Sequence, residues 1–350
     1  MRYPKDLAQG GCIGFLAPSF GCSFEPYKSA FDNGLKKWSE KGYSYVLGPN
    51  CYAQEGIGIS NTPEKCGKEV MDSFLSEESD ILISCGGGEL MCEILDYVDF
   101  EALAEAQPKW YIGYSDNTNL TYLLPTLCDT AAIYGPCAGS YGMEPYHPSI
   151  TDACELLTGQ KKVMRGYDKW EKESLKNEEN PLATVNATEP RILKAYVDGR
   201  FVEDATKEDI TVSMEGRLLG GCMDCLVNLL GTKFDKTTEF IEKYKGDGII
   251  WFLEACDLNV YSIRRAMWQM EHAGWFKYTK GFMFGRALND APMFGLDAYE
   301  AVLAVARKYD VPVIMDLDIG HKSPMMPLVC GSMAKVDMVN NDVTVDMRYV

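Results

Sequence analysis

Lys109-Trp110-Tyr111-Ile112-Gly113-Tyr114-Ser115-Asp116-Asn117-Thr118 is the stretch around which the rest of the chain organises. The apolar run Trp110–Ile112 reads as a short buried strand. The polar residues after it open a helix carried through Leu120, Leu123 and Leu124. This spacing puts Ser115 on a tight strand-to-helix turn. Gly113 lets the backbone approach closely there, and the helix N-terminus presents its N–H groups beside the hydroxyl. A serine oxygen next to amide donors suits a site where negative charge develops. The same residues also fit a plain helix cap, because Ser and Asp are favoured at that position.

Outward from this turn, the first half alternates short apolar runs with helical patterns, which predicts a parallel sheet flanked by helices. Strands are expected at Cys12–Leu16, Tyr43–Leu47, Asp80–Ser84, Trp110–Ile112 and Ala132–Tyr134. Helices are expected at Tyr27–Glu40, Pro63–Leu75 and Asn117–Leu127. The strands exit at Ala17-Pro18-Ser19, Ser84-Cys85-Gly86-Gly87-Gly88, Gly113-Tyr114-Ser115 and Gly135-Pro136. Ligands gather beyond the carboxyl ends of strands in such sheets, so these four loops should share one crevice.

From Gly166 to Pro190 the chain turns highly charged and loses apolar periodicity, with Trp170 as the large aromatic within its charged stretches. This is a linker or lid loop, and Trp170 is either an anchor for it or an aromatic wall over a substrate. The domain reading is therefore 1–165, a charged segment 166–190, and 191–350. The second half offers Gly216–Gly221 running into a helix through Leu226, Leu229 and Leu230, then a buried strand, Gly248–Leu253, ending at Glu254. A helix over Ser262–Glu271 follows, then strands at Gly281–Phe284, Pro312–Met315, Leu328–Cys330 and Val343–Met347, with a helix over Leu296–Arg307.

Bulk properties narrow the partners. With 350 residues, two domains are the better expectation. A net charge of −17 disfavours nucleic acid and anionic membrane, although an anionic small substrate needs only one local cation. No secretory leader or membrane-length apolar run is evident, so the expected location is cytoplasmic. Thirteen scattered cysteines read as reduced thiols. Cys222 and Cys225 form a C-x-x-C without a second ligand pair or a histidine nearby in sequence, so no metal site is expected.

A serine hydroxyl needs a base before it can attack, and the chain has three histidines. His147 lies in a Pro-flanked turn and His272 at a helix end. His321 follows an apolar run in Asp318-Ile319-Gly320-His321, at a strand exit, and is the candidate by position. An imidazole base works best when an acid fixes its tautomer. Glu254 closes a strongly apolar strand, where burying a carboxylate is costly unless it is paired; it also fits an exposed acid at the strand mouth, and Asp257 is its rival. The contiguous Gly86-Gly87-Gly88 fails the spacing of a dinucleotide fingerprint. It fits a turn that donates to an oxyanion, or a plain tight turn.

These segments, in this order, resemble the LD-carboxypeptidase family of serine peptidases, which includes the microcin C immunity proteins. The likeness rests on Gly14–Ser19, Gly86-Gly87, Ile112–Thr118, Tyr134-Gly135-Pro136, Gly216–Gly221 with Leu230-Gly231-Thr232, Phe252-Leu253-Glu254, and Gly320-His321 with Pro324 and Gly331. The resemblance implies a Rossmann-like N-terminal α/β domain, a smaller C-terminal α/β domain and a homodimer without metal or organic cofactor. It also implies a catalytic triad of Ser115, Glu254 and His321 in an interdomain cleft, with an oxyanion hole from the backbone N–H groups of Asp116, Gly86 and Gly87. Cys85 stands where relatives often carry Arg, and Cys222 where Asn is frequent; both bear on substrate preference. The charged segment with Trp170 resembles the immunity branch, whose substrates are peptidyl or aminoacyl nucleotides. A murein tetrapeptide is the alternative substrate. A catalytically silent small-ligand binding protein and a dinucleotide-binding enzyme are the competing classes.

Overall fold

The computed structural model describes residues 1–348, and the chain divides into two compact units. The first contains Met1–Lys161, Glu173–Asn186 and Pro327–Cys330. The second contains Lys162–Lys172, Ala187–Met326 and the chain from Gly331 onward. The segment read as a linker or lid is therefore shared: its ends, Lys169–Glu171 and Ala187–Pro190, pair as antiparallel strands in the second unit, and its middle belongs to the first.

In the first unit, five parallel strands lie in the order Ser44–Leu47, Cys12–Leu16, Ile81–Ser84, Tyr111–Gly113, Ala132–Tyr134. All but the edge strand Ser44–Leu47 are buried almost throughout, which explains why they read as unbroken apolar runs rather than alternating ones. Leu328–Cys330 adds a sixth, antiparallel strand beside Ala132–Tyr134. That strand was expected within the C-terminal domain, but three residues carry no signal for which sheet they join. Helices Tyr27–Glu40 and Pro63–Leu75 form as expected, the second capped by Thr62 and begun by Pro63. The expected helix Asn117–Leu127 is broken into a 3-10 turn at Ser115–Asn117 and short helices at Thr118–Thr121 and Leu123–Cys128. Pro125 cannot donate to the Thr121 carbonyl, which limits the run. Leu120 and Leu124 still pack into a core with Leu16, Leu82, Tyr111, Val70 and Phe74.

The second unit is built on a nine-stranded mixed sheet whose centre is parallel: Thr211–Cys222, Ile249–Glu254, Thr279–Gly285 and Val313–Leu317. Antiparallel strands extend both sides. Thr211–Cys222 is a twelve-residue strand running straight through the Gly220-Gly221 pair that read as the approach to a helix. A Cβ on Gly220 would lie 1.8 Å from the Phe252 carbonyl oxygen, so glycine is what lets these two strands pair closely. Cys222 thus ends a strand, and only Cys225 lies within the helix Met223–Leu229. Helix Val260–His272 is capped by Asn259, buries Ile263, Met267 and Met270, and packs on helices Met223–Leu229 and Ala298–Ala306. Among the described residues, no helix is long and apolar enough to cross a membrane.

Candidate active site

In the first unit the strand exits converge as expected. Ser115 follows the strand Tyr111–Gly113 with a φ of +63°, a left-handed conformation that non-glycine residues rarely adopt. Such strain at a strand-to-helix turn is characteristic of an exposed nucleophile. Its N–H donates to the Tyr134 hydroxyl (3.3 Å). The Gly86–Gly87 turn lies directly against it: a Cβ on Gly87 would sit 2.9 Å from the serine Cβ and 3.1 Å from its Oγ. The turn is pinned from behind. Asn117 Nδ2 donates to the Gly86 carbonyl (2.8 Å), Ser84 Oγ donates to the same oxygen (3.1 Å), and Phe20 N–H donates to the Gly87 carbonyl (2.9 Å). Asn117 also donates to the Tyr114 carbonyl (3.0 Å), tying both turns to one side chain.

The Asp116 side chain points inward and is buried. Its carboxylate accepts from Ser19 Oγ (2.7 Å), Met91 N–H (2.9 Å) and Asn119 Nδ2 (3.1 Å). Burial pushes its pKa up to about 6, against the pull of those hydrogen bonds. Asp116 is therefore the buckle between the first strand's exit loop and the serine turn. Sequence gave no hint of this bond, whose partners are 97 residues apart.

In the second unit, Glu254 ends its strand fully buried, and the His321 Nδ1–H donates to its Oε2 at 2.9 Å. Asp257, the rival, is not the acid on this ring. Glycines shape the pair: a Cβ on Gly320, whose φ is +95°, would lie 2.5 Å from Glu254 Oε2, and one on Gly285 would lie 3.1 Å from Glu254 Cβ. Burial alone lowers the imidazole's pKa. The Glu254 charge and the hydrogen bonds that the ring donates to Cys256 and Glu254 outweigh it, so the net shift is upward. Cys222 Sγ also lies here: it, a Glu254 oxygen and a His321 ring nitrogen are mutually within 4.8 Å. A hydrogen bond with Cys225, burial and the Glu254 charge hold the Cys222 thiol well above its ordinary range, so it stays protonated. Asp224, which sequence reasoning missed, accepts from the N–H groups of Cys256 (3.0 Å), Asp257 (2.9 Å) and Leu258 (3.0 Å), fixing the loop after Glu254. The other histidines have local duties. His147 caps a helix through Ser149 N–H, and the His272 ring lies 2.8 Å from the Trp268 carbonyl oxygen.

Trp170, also in the second unit, lines a cleft of ≈ 270 Å³ with Lys194, Arg286, Tyr299 and Lys322. The Arg286 guanidinium and the Lys322 ammonium lie 5.3 Å and 5.6 Å from its ring centroid. Arg286 is buried, pairs with Asp318 through Nη1 (2.8 Å), and leaves Nη2 without a protein acceptor. Glu189, Asp290 and Asp316 balance the charge of the cleft. Neither Arg286 nor Asp318 was singled out from sequence; an Arg after the glycine that ends a buried strand is the signal that was available.

Comparison with known proteins bears on all of this. Residues 13–135 match the model of the LD-carboxypeptidase N-terminal domain, and residues 215–336 that of the LD-carboxypeptidase C-terminal domain. The microcin C7 self-immunity protein MccF of Escherichia coli is 24% identical over 98% of this chain and 95% of its own length. A probable murein peptide carboxypeptidase of Bacillus subtilis is 24% identical over 98% and 94%. Among solved structures, MccF in complex with aspartyl sulfamoyl adenosine covers 100% of both chains at a TM-score of 0.78 and 21% identity. An MccF-like protein from Bacillus anthracis reaches 0.80 at 19% identity, covering 99% of this chain and 100% of its own. These neighbours share the two-domain α/β architecture described above.

Proposed function

This chain belongs to the LD-carboxypeptidase family of serine peptidases, and from that premise we propose that it hydrolyses a small peptide-like amide or acyl-nucleotide bond with Ser115, His321 and Glu254 as its triad. In this reading Ser115 Oγ attacks the carbonyl carbon as His321 takes its proton. The oxyanion is held by backbone N–H groups of Asp116 and the Gly86–Gly87 turn, and His321 then protonates the leaving group. Water repeats the sequence to release the acyl group. The observation that carries the reading is the Glu254–His321 pair. A buried ion pair is poor value for folding, because desolvation offsets its attraction, whereas a base that must become charged in mid-reaction requires it.

The acyl-nucleotide class is favoured by the cleft around Trp170. An aromatic face flanked by Arg286 and Lys322, in a cleft whose charges are balanced, suits stacking of a flat ring such as a nucleobase. The murein tetrapeptide reading is favoured by the Bacillus subtilis relative. Side-by-side hydrolysis of an aminoacyl sulfamoyl adenosine and a murein tetrapeptide separates the two. Ser115→Ala should abolish whichever activity is present, by on the order of 10⁴-fold or more, with folding intact. Turnover near wild type in that variant refutes the assignment. We place the enzyme in the cytoplasm as a homodimer, which light scattering of the purified protein checks in part.

A further inference from the structure

We propose that Cys222, Glu254 and His321 together bind one thiophilic divalent cation of the zinc class, and that its binding switches the base off. The three side chains come from two adjacent parallel strand ends and the loop that returns beside them. Cys222 and Glu254 are register partners across that strand pair. Their donor atoms and a His321 nitrogen are mutually within 4.8 Å, close enough for one ion to draw all three into contact. Sulfur, imidazole nitrogen and carboxylate oxygen form a mixed donor set that selects zinc-like ions over magnesium or calcium, which take oxygen ligands. Three protein ligands leave a fourth position for water.

The proton balance explains the inhibition. On binding, the Cys222 thiol releases its proton to solvent and its sulfur takes the ion. Glu254 exchanges its hydrogen bond from His321 Nδ1 for the metal. The Nδ1 proton is displaced to solvent, or by way of solvent to Nε2 if that nitrogen is bare, so the Nδ1 lone pair faces the ion and the ring keeps one proton, on Nε2. An imidazole with Nδ1 metallated and Nε2 protonated has no lone pair left to accept a proton. No oxidant or further reactant is involved.

Cobalt titration of the full-length protein tests this without reference to turnover. One Co²⁺ per chain should bind and give a near-ultraviolet thiolate-to-cobalt charge-transfer band, displaced by Zn²⁺. Cys222→Ser should abolish the band, whereas Cys225→Ser and Cys256→Ser should retain it. The Cys256 control matters because that thiol also bonds to the His321 ring. Should Cys222→Ser misfold, X-ray absorption of the zinc-loaded wild type should still show one sulfur at about 2.3 Å with nitrogen and oxygen neighbours. Where hydrolysis is measurable, Zn²⁺ should inhibit it reversibly, and Cys222→Ser should raise the inhibitory concentration at least about tenfold. Absence of stoichiometric binding, or a band that survives in Cys222→Ser or follows Cys256, overturns the proposal. Because metal binding is read directly, these results stand whether or not the triad assignment does.

Discussion

Glu254→Gln is the most revealing single substitution in the second unit, because it keeps the shape of the acid and removes only its charge. At 2.9 Å and an effective dielectric constant of 20, the carboxylate stabilises an imidazolium by about 6 kcal/mol. Relaxation and residual solvent trim this to roughly 4 kcal/mol, and that loss falls on a transition state in which the ring is charged, so kcat should drop about 10³-fold. The pH dependence gives a second, independent reading. His321 works as a base only when neutral, and Glu254 raises its pKa, so the wild-type acidic limb should lie above the ordinary imidazole value. Glu254→Gln should move that limb to lower pH while the plateau falls. Stability has a matching sign. The raised folded-state pKa contributes stability that is complete below about 6.5 and lost as pH rises through the folded value, so the variant should be less stable near pH 6 and converge on wild type in alkali. Steady-state kinetics and denaturant melts carried from pH 5 to beyond the raised folded-state value measure all three. A variant with kcat within threefold of wild type and an unmoved limb refutes the role assigned to this pair.

Other substitutions probe the remaining geometry. Gly87→Ala should cost about 10² in kcat with little change in melting temperature, because its Cβ would press on the Ser115 side chain at 2.9 Å; an unimpaired enzyme would place the turn elsewhere. Gly320→Ala should both destabilise the fold by about 1–2 kcal/mol through its φ of +95° and lower kcat by displacing Glu254, so loss of stability alone contradicts the packing described. Ser19→Ala removes a donor to buried Asp116 and should cost about 2 kcal/mol at pH 8. Since Asp116 titrates near 6, the cost should shrink at pH 5, where the protonated carboxyl needs the hydroxyl less; equal losses in urea melts at both pH values rule this out.

Much of this architecture is legible in the sequence for identifiable reasons. The Ser115 turn announces itself because a buried strand, a glycine and two helix-opening polar residues fall in consecutive positions. Glu254 stands out as a carboxylate at the end of five buried apolar residues, and His321 as the one histidine at a strand exit. What stayed hidden depends on partners far apart in sequence. The Ser19–Asp116 bond, the three amides on Asp224 and the pairing of Leu328–Cys330 with the first sheet have no local signature. The long strand Thr211–Cys222 was obscured by Gly220-Gly221, which look like a turn until the approach of Phe252 is known. Cys222 appeared to have no histidine near it because His321 lies 99 positions away yet folds beside it.

The nucleophile is tested most directly by mass spectrometry of the protein treated with a fluorophosphonate. The adduct should map to Ser115 alone and form much more slowly in His321→Ala, which lacks the base. Modification at another residue, or undiminished labelling in the histidine variant, would contradict the account.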